Sequence, residues 1–469
     1  MGFAMAPKFG TSGLRGLVTE MTPNLITGHV VAFLVSFPQI RTLYLGRDLR
    51  PSSPAIADIV AEAALAQGVD VVDCGPLPTP ALALAALSVG GGAVMVTGSH
   101  IPADRNGLKF YKPSGEISKP DEAAILGNLG TERADGQGRG VLRCDTEARA
   151  RFGARYLSAF GTGALAGLRI GLYAHSSVGR DLLAGTLTGL GAELIELSRS
   201  EVFIPIDTEV VSDDTRARIR AWVAANALDA VVSTDGDADR PLLADETGAI
   251  VPGDILGQIT SAALGVETLV TPISSNSGCT AGGRIARVIR TRIGSPHVIE
   301  AMQRAGGKVA GYEANGGYLL GFGAQGPAGP IAPLWTRDCF LPLIVALMLA
   351  REMPLSRLVA QEPGGVTRTG LLRQVPPDIS GELVAALSRD DSARQAFLRP
   401  LGAAEEATDL TDGLRMTLDS GEVVHIRASG NAPELRLYVE AATAARADVL
   451  LEGGLVALRR KVAFAGGGA

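Results

Sequence analysis

Residues 42–46 read Thr-Leu-Tyr-Leu-Gly and open a pattern that the chain uses three times. A short apolar strand is followed by an alanine-rich helix, two more strands and a polar loop. In the first copy we predict the helix at 53–67, the strands at 69–73 and 93–97, and the loop at Gly98-Ser-His-Ile-Pro102. Strands that alternate with helices in this way predict parallel or mixed α/β sheets.

The next two copies keep the same order. The second has predicted strands at 169–173, 193–197 and 230–233, a helix at 179–190 and the loop Asp235-Gly-Asp-Ala-Asp239. The third has predicted strands at 268–271 and 308–311, a helix near 282–289 and the loop Glu313-Ala-Asn-Gly-Gly317. Loops at the carboxyl ends of such strands line the ligand crevice, so we expect each copy to end at a binding site.

From about Gly365 the pattern changes to that of a small α+β domain. The predicted elements there are a helix near 382–389, strands near 412–418, 422–427 and 435–440, and a closing helix at 446–463.

Composition excludes some functions. The 469 residues carry a net charge of −6 and only 4% aromatic residues, which argues against a nucleic-acid partner. The apolar stretch 25–37 is interrupted and too short to span a membrane, and residues 1–10 lack the features of a signal peptide. We therefore expect a cytoplasmic protein with no membrane partner.

Three alternating carboxylates, Asp235, Asp237 and Asp239, follow a predicted strand. They can converge on a hard cation such as Mg²⁺ or Ca²⁺, although a solvated acidic turn is the simpler alternative. An EF-hand is excluded because Arg240 stands where its loop requires glycine. Three carboxylates from one loop leave open coordination positions, which suits Mg²⁺ shared with a phosphate.

Ser99 lies at a strand–loop junction beside His100, where a serine can act as a nucleophile or a phosphate carrier, or simply form a turn. Arg105 and Lys109 follow within ten residues, and no Gly-x-Ser-x-Gly motif is present. The surroundings therefore favour a phosphate site over a hydrolase. The remaining histidines show no ligand spacing and are assigned to packing or the surface: His29, His175, His297 and His425.

Two further segments are suited to anions. Gly10-Thr-Ser-Gly-Leu-Arg-Gly16 can approach an anion through its backbone amides while Arg15 supplies charge. Arg427-Ala-Ser-Gly-Asn-Ala-Pro433, with Arg436 beyond it, repeats the combination near the end of the chain. Each segment alone could equally be an ordinary turn.

As an ordered set, these segments resemble the α-D-phosphohexomutase superfamily along essentially the whole chain. The motifs that carry the resemblance are Gly10–Gly16, Gly46-Arg-Asp-Leu-Arg50, Pro78-Thr-Pro80, Thr97–Pro102, Asp235–Arg240, Gly311–Gly317 and Arg427–Asn431.

The resemblance implies a heart-shaped enzyme with three similar mixed α/β domains and a C-terminal α+β domain around a central cleft. The expected domains are 1–146 with the phosphoserine loop, 147–250 with the metal loop, 251–364 with the sugar-binding loop, and 365–469 with a phosphate-binding loop.

The resemblance also assigns roles. Ser99 would carry the phosphoryl group, and Mg²⁺ would be held by that group with Asp235, Asp237 and Asp239. His100, Arg15 and Lys109 would be catalytic. The expected substrate-binding residues are Arg240, Glu313, Asn315, Arg427, Ser429, Gly430, Asn431 and Arg436.

This sequence departs from many members of the superfamily at three places. Gly98 and Ile101 stand where alanine and asparagine are common. Ala314-Asn-Gly-Gly317 replaces a Ser-Gly-His sequence, so a histidine proposed to help in proton transfer is absent. Ala238 replaces a glycine of the metal loop, which we expect to be tolerated at negative φ.

The implied activity interconverts mannose 6-phosphate and mannose 1-phosphate through a hexose 1,6-bisphosphate. Glucose 1,6-bisphosphate or mannose 1,6-bisphosphate is the expected activator, and the protein is expected to be a monomer or weak homo-oligomer. A phosphoglucomutase or dual-specificity mutase is the alternative, and phosphoglucosamine mutase a weaker one. A non-catalytic binding protein would have lost the serine or the carboxylates, and a phosphatase would not need so many cations to retain a bisphosphate.

Overall fold

The computed structural model describes residues 7–10, 13–132, 138–281, 283–429 and 433–466. The chain forms two compact units. The first comprises Met1–Leu269 and Ser295–Gln361, and the second Val270–Gly294 and Glu362–Ala469.

The first α/β repeat forms a mixed sheet in the first unit. Its elements are β1 (Lys8–Phe9), β2 (Leu14–Leu17), α1 (Pro23–Ser36), β3 (Thr42–Arg47), α2 (Ser53–Ala66), β4 (Asp70–Pro76), α3 (Thr79–Leu87), β5 (Gly92–Val96), β6 (Arg105–Lys112), β7 (Gly115–Glu116), α4 (Lys119–Gly127), β8 (Leu142–Cys144) and α5 (Ala148–Phe160). The strand order is β1-β2-β6-β5-β3-β4-β8, with β7 on β6. β3 is parallel to β4 and β5, whereas β5 and β6 are antiparallel.

The second repeat has the same topology. Its elements are β9 (Arg169–Tyr173), α6 (Arg180–Gly189), β10 (Glu193–Leu197), α7 (Asp213–Asn226), β11 (Ala230–Thr234), β12 (Pro241–Ala244) and α8 (Gly253–Ala263). The order β10-β9-β11-β12 corresponds to β4-β3-β5-β6 of the first sheet, with the same parallel and antiparallel pairs. The predicted repetition is therefore confirmed, and β5 and β11 are equivalent strands.

The third repeat is divided between the two units. Its elements are β13 (Thr268–Pro272), a 3₁₀ turn (Ser277–Thr280), β14 (Arg287–Thr291), α9 (Ser295–Ala305), β15 (Val309–Tyr312), β16 (Tyr318–Leu320), β17 (Ala324–Gln325), β18 (Pro330–Ile331), β19 (Leu334–Asp338), α10 (Phe340–Ala350) and α11 (Leu355–Ala360). In the first unit, β16 pairs antiparallel with both β15 and β19.

The helix predicted near 282–289 is wrong. The described part of that segment instead contains strand β14, and the helix of this repeat is α9, at Ser295–Ala305. Gly283 has a φ of +64°, which breaks a helix, and the adjacent β-branched Val288 and Ile289 favour a strand.

The second unit contains an antiparallel sheet and helices, which confirms the α+β prediction. Its remaining elements are β20 (Val366–Arg373), α12 (Pro377–Arg389), α13 (Asp391–Leu398), a 3₁₀ turn (Arg399–Leu401), β21 (Glu405–Asp409), β22 (Leu414–Leu418), β23 (Val423–Ala428), β24 (Glu434–Ala441) and α14 (Ala444–Gly466). The strand order is β20-β24-β23-β22-β21.

The hydrophobic residues that hold each sheet are buried on both faces in the central strands. All five residues of β5 and all five of β11 are buried, as expected for strands covered by helices on both sides. The loops that follow these two strands are therefore anchored at rigid ends. Within the described residues, no helix has the length and apolar character needed to cross a membrane. The four domain boundaries stay a prediction.

Candidate active site

The serine loop follows β5 and places Ser99 in a completely buried position. Ser99 has a φ of +51°, which is unusual for a residue other than glycine. Its Oγ donates a hydrogen bond to Asp235 Oδ2 at 2.5 Å and lies 3.4 Å from His100 Nδ1. The loops of the first two repeats therefore meet at the serine hydroxyl, as the sequence predicts.

Arg50 and Asp48 hold this loop in place. The buried Arg50 guanidinium donates to four carbonyl oxygens of the loop and its continuation. They join Arg50 to Ser99 at 2.9 Å, Ile101 at 2.6 Å, Pro102 at 2.7 Å and Arg105 at 2.9 Å. Asp48 accepts from Arg50 Nε at 3.2 Å and from Thr97 Oγ1 at 2.8 Å. Ser99 is thus fixed through its backbone.

Gly98 is required by the same guanidinium. A Cβ at residue 98 would lie 2.6 Å from Arg50 Cζ. Because van der Waals contact begins near 3.4 Å, an alanine there would displace either the loop or Arg50. The close approach of Arg50 therefore explains why this chain has glycine at 98, where many members of the superfamily have alanine.

The metal loop follows β11 and brings three buried carboxylates together. Oxygen atoms of Asp235, Asp237 and Asp239 lie within 4.8 Å of one another. Asp237 Oδ1 and Asp239 Oδ1 are buried and accept no hydrogen bond from the described residues. Buried carboxylate oxygens normally have partners, so these oxygens fit a cation with oxygen ligands such as Mg²⁺.

Cations surround the carboxylates. Lys109, on β6, donates to Asp237 Oδ2 at 2.5 Å and to Asp239 Oδ2 at 2.6 Å. Arg240 Nε lies 3.7 Å from Asp239 Oδ1, and Arg337, on β19, donates to Asp239 Oδ2 at 2.7 Å. These positive charges can also neutralise a phosphoryl group.

The carboxylates differ in acidity as a result. Burial, together with the charges of Asp237 and Asp239, raises the pKa of Asp235 well above its usual range. Burial also opposes ionisation of Asp239, but the charges of Arg337, Lys109 and Arg240 outweigh it and lower its pKa. Asp239 is therefore the carboxylate whose charge is best compensated.

His100 and Arg15 lie in the same electrostatic environment. Burial, followed by the charges of Arg240 and Arg15, lowers the pKa of His100 well below its usual value, so its imidazole is neutral near pH 7. His100 Nε2 is 4.0 Å from Asp207 Oδ2. Burial and Arg240 lower the pKa of Arg15 to about 10, which leaves it charged at neutral pH.

Ala238 does not meet the condition of negative φ under which alanine is expected to be tolerated. Its φ is +54°, in the left-handed region, rather than negative. Ala238 is fully buried, and a Cβ placed on Gly179 would lie 2.6 Å from its methyl group. The turn is closed by hydrogen bonds from Asp235 N to the Arg240 carbonyl at 3.1 Å and from Ala238 N to the Asp235 carbonyl at 3.3 Å. Glycine at 179 leaves room for the Ala238 methyl group.

The sugar-binding loop follows β15. Glu313 and Asn315 are both buried, and the turn is closed by a hydrogen bond from Glu313 N to the Gly317 carbonyl at 3.2 Å. Glu313 Oε2 accepts from Arg337 Nη1 at 2.9 Å. The backbone carbonyl of Asn315 accepts a hydrogen bond from Thr208 Oγ1 at 3.1 Å. The side-chain Oδ1 of Asn315 accepts a hydrogen bond from Gly317 N.

The C-terminal phosphate loop belongs to the second unit. Arg427 on β23 is opposite Arg436 on β24, and Arg427 Nε donates to Asp412 Oδ2 at 2.8 Å. Ser429 is buried, and its backbone N–H donates to the Glu434 carbonyl. Gly430 and Asn431, also predicted to bind phosphate, lie outside the described residues.

Comparisons with known proteins give the family. Residues 6–135 match the description "Phosphoglucomutase/phosphomannomutase, alpha/beta/alpha domain I", and residues 387–452 match the C-terminal domain of the same family. A relative named phosphomannomutase from Sinorhizobium fredii is 46% identical, covering 97% of this chain and 99% of the relative. The chain belongs to the phosphoglucomutase/phosphomannomutase family.

Two other comparisons agree with this family. A phosphomannomutase from Salmonella muenchen is 41% identical over 97% of this chain and 96% of its own. The solved structure of a phosphoglucomutase/phosphomannomutase family protein from Burkholderia thailandensis has a TM-score of 0.77 and 20% identity, covering 98% of each chain. At that identity the solved structure supports the fold, which is the phosphohexomutase fold.

Sequence reasoning missed the functional positions of three residues. The motif Gly46–Arg50 contains Asp48 and Arg50 but does not by itself indicate a role for them, and Arg337 lies outside the motifs that carry the resemblance. Asp48 and Arg50 carry two opposite charges directly after strand β3, and this is a signal that could have indicated the pair. Arg337 stands in a buried strand, where an unpaired charge is unstable, and this alone points to a partner in the site.

Proposed function

We propose that this protein is a phosphomannomutase that interconverts mannose 6-phosphate and mannose 1-phosphate. The reaction passes through a phosphoserine at Ser99 and a hexose 1,6-bisphosphate. The observation that carries the proposal is the position of Ser99 Oγ, buried and 2.5 Å from Asp235 Oδ2 at the centre of the carboxylate and cation cluster.

Asp235, Asp237 and Asp239 are suited to hold Mg²⁺ together with the phosphoryl group on Ser99. When bound, this cation supplies charge neutralisation for phosphoryl transfer. The buried Oδ1 atoms of Asp237 and Asp239, which accept no hydrogen bond from the described residues, support this assignment.

The protein's own residues orient the transfer. In the forward step the bond from Ser99 Oγ to phosphorus breaks and a bond from the sugar hydroxyl oxygen to phosphorus forms. The sugar hydroxyl loses one proton and Ser99 Oγ takes one up, so the serine hydroxyl is restored. Lys109, Arg15 and Arg240 provide positive charge around the phosphoryl oxygens. In the return step Ser99 Oγ loses a proton, and neutral His100 Nδ1, at 3.4 Å, is placed to accept it.

The sugar and its second phosphate are assigned to two other loops. Glu313 and Asn315 would bind the hexose hydroxyl groups. The residues proposed for the distal phosphate are Arg427, Ser429, Gly430, Asn431 and Arg436. After the first transfer, the bisphosphate must turn over so that its other phosphoryl group returns to Ser99, and free glucose or mannose 1,6-bisphosphate would recharge enzyme that has lost its phosphoryl group.

The experiment compares turnover of mannose 1-phosphate, glucose 1-phosphate and glucosamine 1-phosphate under the same conditions. It uses Mg²⁺ and a trace of glucose 1,6-bisphosphate, with the Ser99→Ala protein as the control. A preference for mannose 1-phosphate that disappears in the control supports the proposal. Equal mannose and glucose rates indicate a dual-specificity mutase, and no turnover of any substrate contradicts a mutase.

Asp237→Asn tests the metal site. The substitution removes one negative charge while keeping the shape of the side chain, so activity should fall and excess Mg²⁺ should not restore it fully. The measurement is the rate as a function of Mg²⁺ concentration. An unchanged Mg²⁺ dependence would place the cation elsewhere.

A further inference from the structure

Arg337 joins two loops of the site through a single guanidinium group. It is only 2% exposed. Its Nη2 donates to Asp239 Oδ2 at 2.7 Å, and its Nη1 donates to Glu313 Oε2 at 2.9 Å. The first carboxylate belongs to the metal loop and the second to the sugar-binding loop, so one planar side chain bridges the two loops.

The sugar-binding loop is built around this side chain. A Cβ on Gly317 would lie 2.6 Å from Arg337 Cδ, and Gly317 also closes the turn by accepting from Glu313 N. The absence of a side chain at 317 therefore leaves the space that the Arg337 stem occupies.

Lys109 provides an internal comparison. Its ammonium joins Asp237 and Asp239, two carboxylates of the same loop. Lys109 can thus compensate charge within the metal loop, but these contacts do not connect that loop to Glu313. The connection runs through Arg337.

We propose that Arg337 is a positioning residue that couples cation binding at the metal loop to hexose binding at the sugar-binding loop. This inference rests on the proposed function, because it takes Glu313 as the group that holds the sugar. A cation that fixes Asp239 also fixes Arg337, and Arg337 then holds Glu313 in the orientation in which it receives the hexose. Binding of the first ligand therefore orders the loop, and the second ligand binds without losing free energy to that ordering. The result is positive cooperativity between the two ligands.

The test measures binding without turnover, in protein that carries Ser99→Ala. Calorimetry gives the Kd of mannose 1-phosphate with and without saturating Mn²⁺, and electron paramagnetic resonance gives the Kd of Mn²⁺ with and without the sugar phosphate. With Arg337 present, each ligand should lower the Kd of the other by the same factor, at least about fivefold. With Arg337→Met this factor should fall to about one.

Two further variants separate positioning from folding. Arg337→Lys keeps the charge, but an ammonium group lacks the planar fork that spans both carboxylates, so coupling should still be lost while the protein melts close to the parent. The Arg337→Lys variant also allows the coupling to be measured if Arg337→Met does not fold. Arg394→Met is the matched control, because buried Arg394 likewise contacts two carboxylates, Asp391 and Glu405, in the second unit. It should lower the melting temperature and leave the coupling intact.

The outcomes are distinct. Coupling that persists in both Arg337 variants overturns the inference, as does an equal loss of coupling in Arg394→Met. If the parent protein with Arg337 binds mannose 1-phosphate but shows no coupling, the inference also fails while the proposed function stands. If the parent does not bind mannose 1-phosphate, glucose 1-phosphate or glucosamine 1-phosphate, the proposed function itself fails.

Discussion

Ser99 and Ala238 occupy comparable places in two similar sheets. Ser99 follows β5 and Ala238 follows β11, the equivalent strands of the first and second repeats. Both are fully buried, and both have left-handed backbones, with φ of +51° and +54°. Such a conformation costs a residue other than glycine roughly 1–2 kcal/mol.

The two residues differ in what their side chains do. The Ser99 hydroxyl contacts Asp235 and is the atom that we propose carries the phosphoryl group, so glycine would abolish the chemistry. The Ala238 methyl group lies beside Gly179. Because it is apolar, it makes no hydrogen bond. The proposed chemistry therefore needs a side chain at Ser99 in spite of the strain, whereas a smaller residue can replace the Ala238 methyl group.

The largest predicted effect comes from removing the Ser99 hydroxyl. Ser99→Ala should lower turnover by at least about 10⁴-fold, because the proposed path passes through the Ser99 oxygen in both transfers. The melting temperature should change little, since alanine tolerates this backbone as serine does. Steady-state kinetics and thermal melting test both statements. A variant that retains near-normal turnover would show that Ser99 is not the phosphate carrier.

The second-largest effect, on both stability and turnover, is expected for Arg50, which holds the serine loop. Arg50→Met leaves buried Asp48 without its ion-pair partner and removes four bonds to loop carbonyls. The free energy of unfolding should fall by about 3–5 kcal/mol, and turnover should fall because Ser99 loses its support.

Arg47→Met is the matched control in the same motif. Arg47 pairs with Asp73 at 3.3 Å, and both side chains are partly exposed, so its loss should cost less than about 1 kcal/mol and leave turnover near normal. Chemical denaturation of the two variants gives the comparison. Equal costs at the two positions would contradict the role assigned to Arg50.

A smaller loss of stability is expected where Ala238 of the metal loop packs against Gly179. Gly179→Ala places a methyl group 2.6 Å from the Ala238 methyl, and such overpacking should cost about 1–3 kcal/mol. Gly179 has a φ of −87°, so alanine is not strained by the backbone itself. The cost should therefore be relieved in the Gly179→Ala, Ala238→Gly double variant, as measured by a double-mutant cycle. Additive costs would show that the two methyl groups do not compete for space.

The smallest effect is expected for Ala238→Gly alone. Glycine removes left-handed strain of roughly 1–2 kcal/mol, but it loses a buried methyl group and gains freedom in the unfolded chain, each of which costs up to about 1 kcal/mol. The gain offsets most of the two losses, so the free energy of unfolding should fall by no more than about 1 kcal/mol. A large loss of stability on denaturation would mean that the methyl group has a role beyond packing.

The sequence predicted those parts of the site that lie at fixed places in a repeated pattern. Ser99 and the carboxylates Asp235, Asp237 and Asp239 each follow the third strand of a repeat, and strand ends can be located from apolar runs and glycines. Their convergence is confirmed by the Ser99–Asp235 contact. The assigned roles of all the site residues stay proposals.

The features that the sequence did not predict depend on contacts between distant segments. Arg337 reaches Asp239 across 98 positions, and Arg50 reaches Ser99 across 49 positions. The conformation of Ala238 depends on the tightness of the Asp235–Asp239 turn, which composition does not reveal. The helix misplaced near 282–289 was assigned from the pattern of the other repeats, although Val288 and Ile289 favour a strand.

The central claim is that Ser99 carries the phosphoryl group, and phosphorylation of the enzyme tests it most directly. The protein is incubated with glucose 1,6-bisphosphate and Mg²⁺, and intact-mass spectrometry with peptide mapping locates any added group. We predict one phosphoryl group per chain, on Ser99. When the phosphoenzyme is made with an ¹⁸O-labelled phosphoryl group and mixed with excess unlabelled mannose 1-phosphate, the label should leave Ser99 and be replaced by an unlabelled phosphoryl group from the substrate. A phosphoryl group on another residue, or none on a protein that still turns over mannose 1-phosphate, would contradict the account.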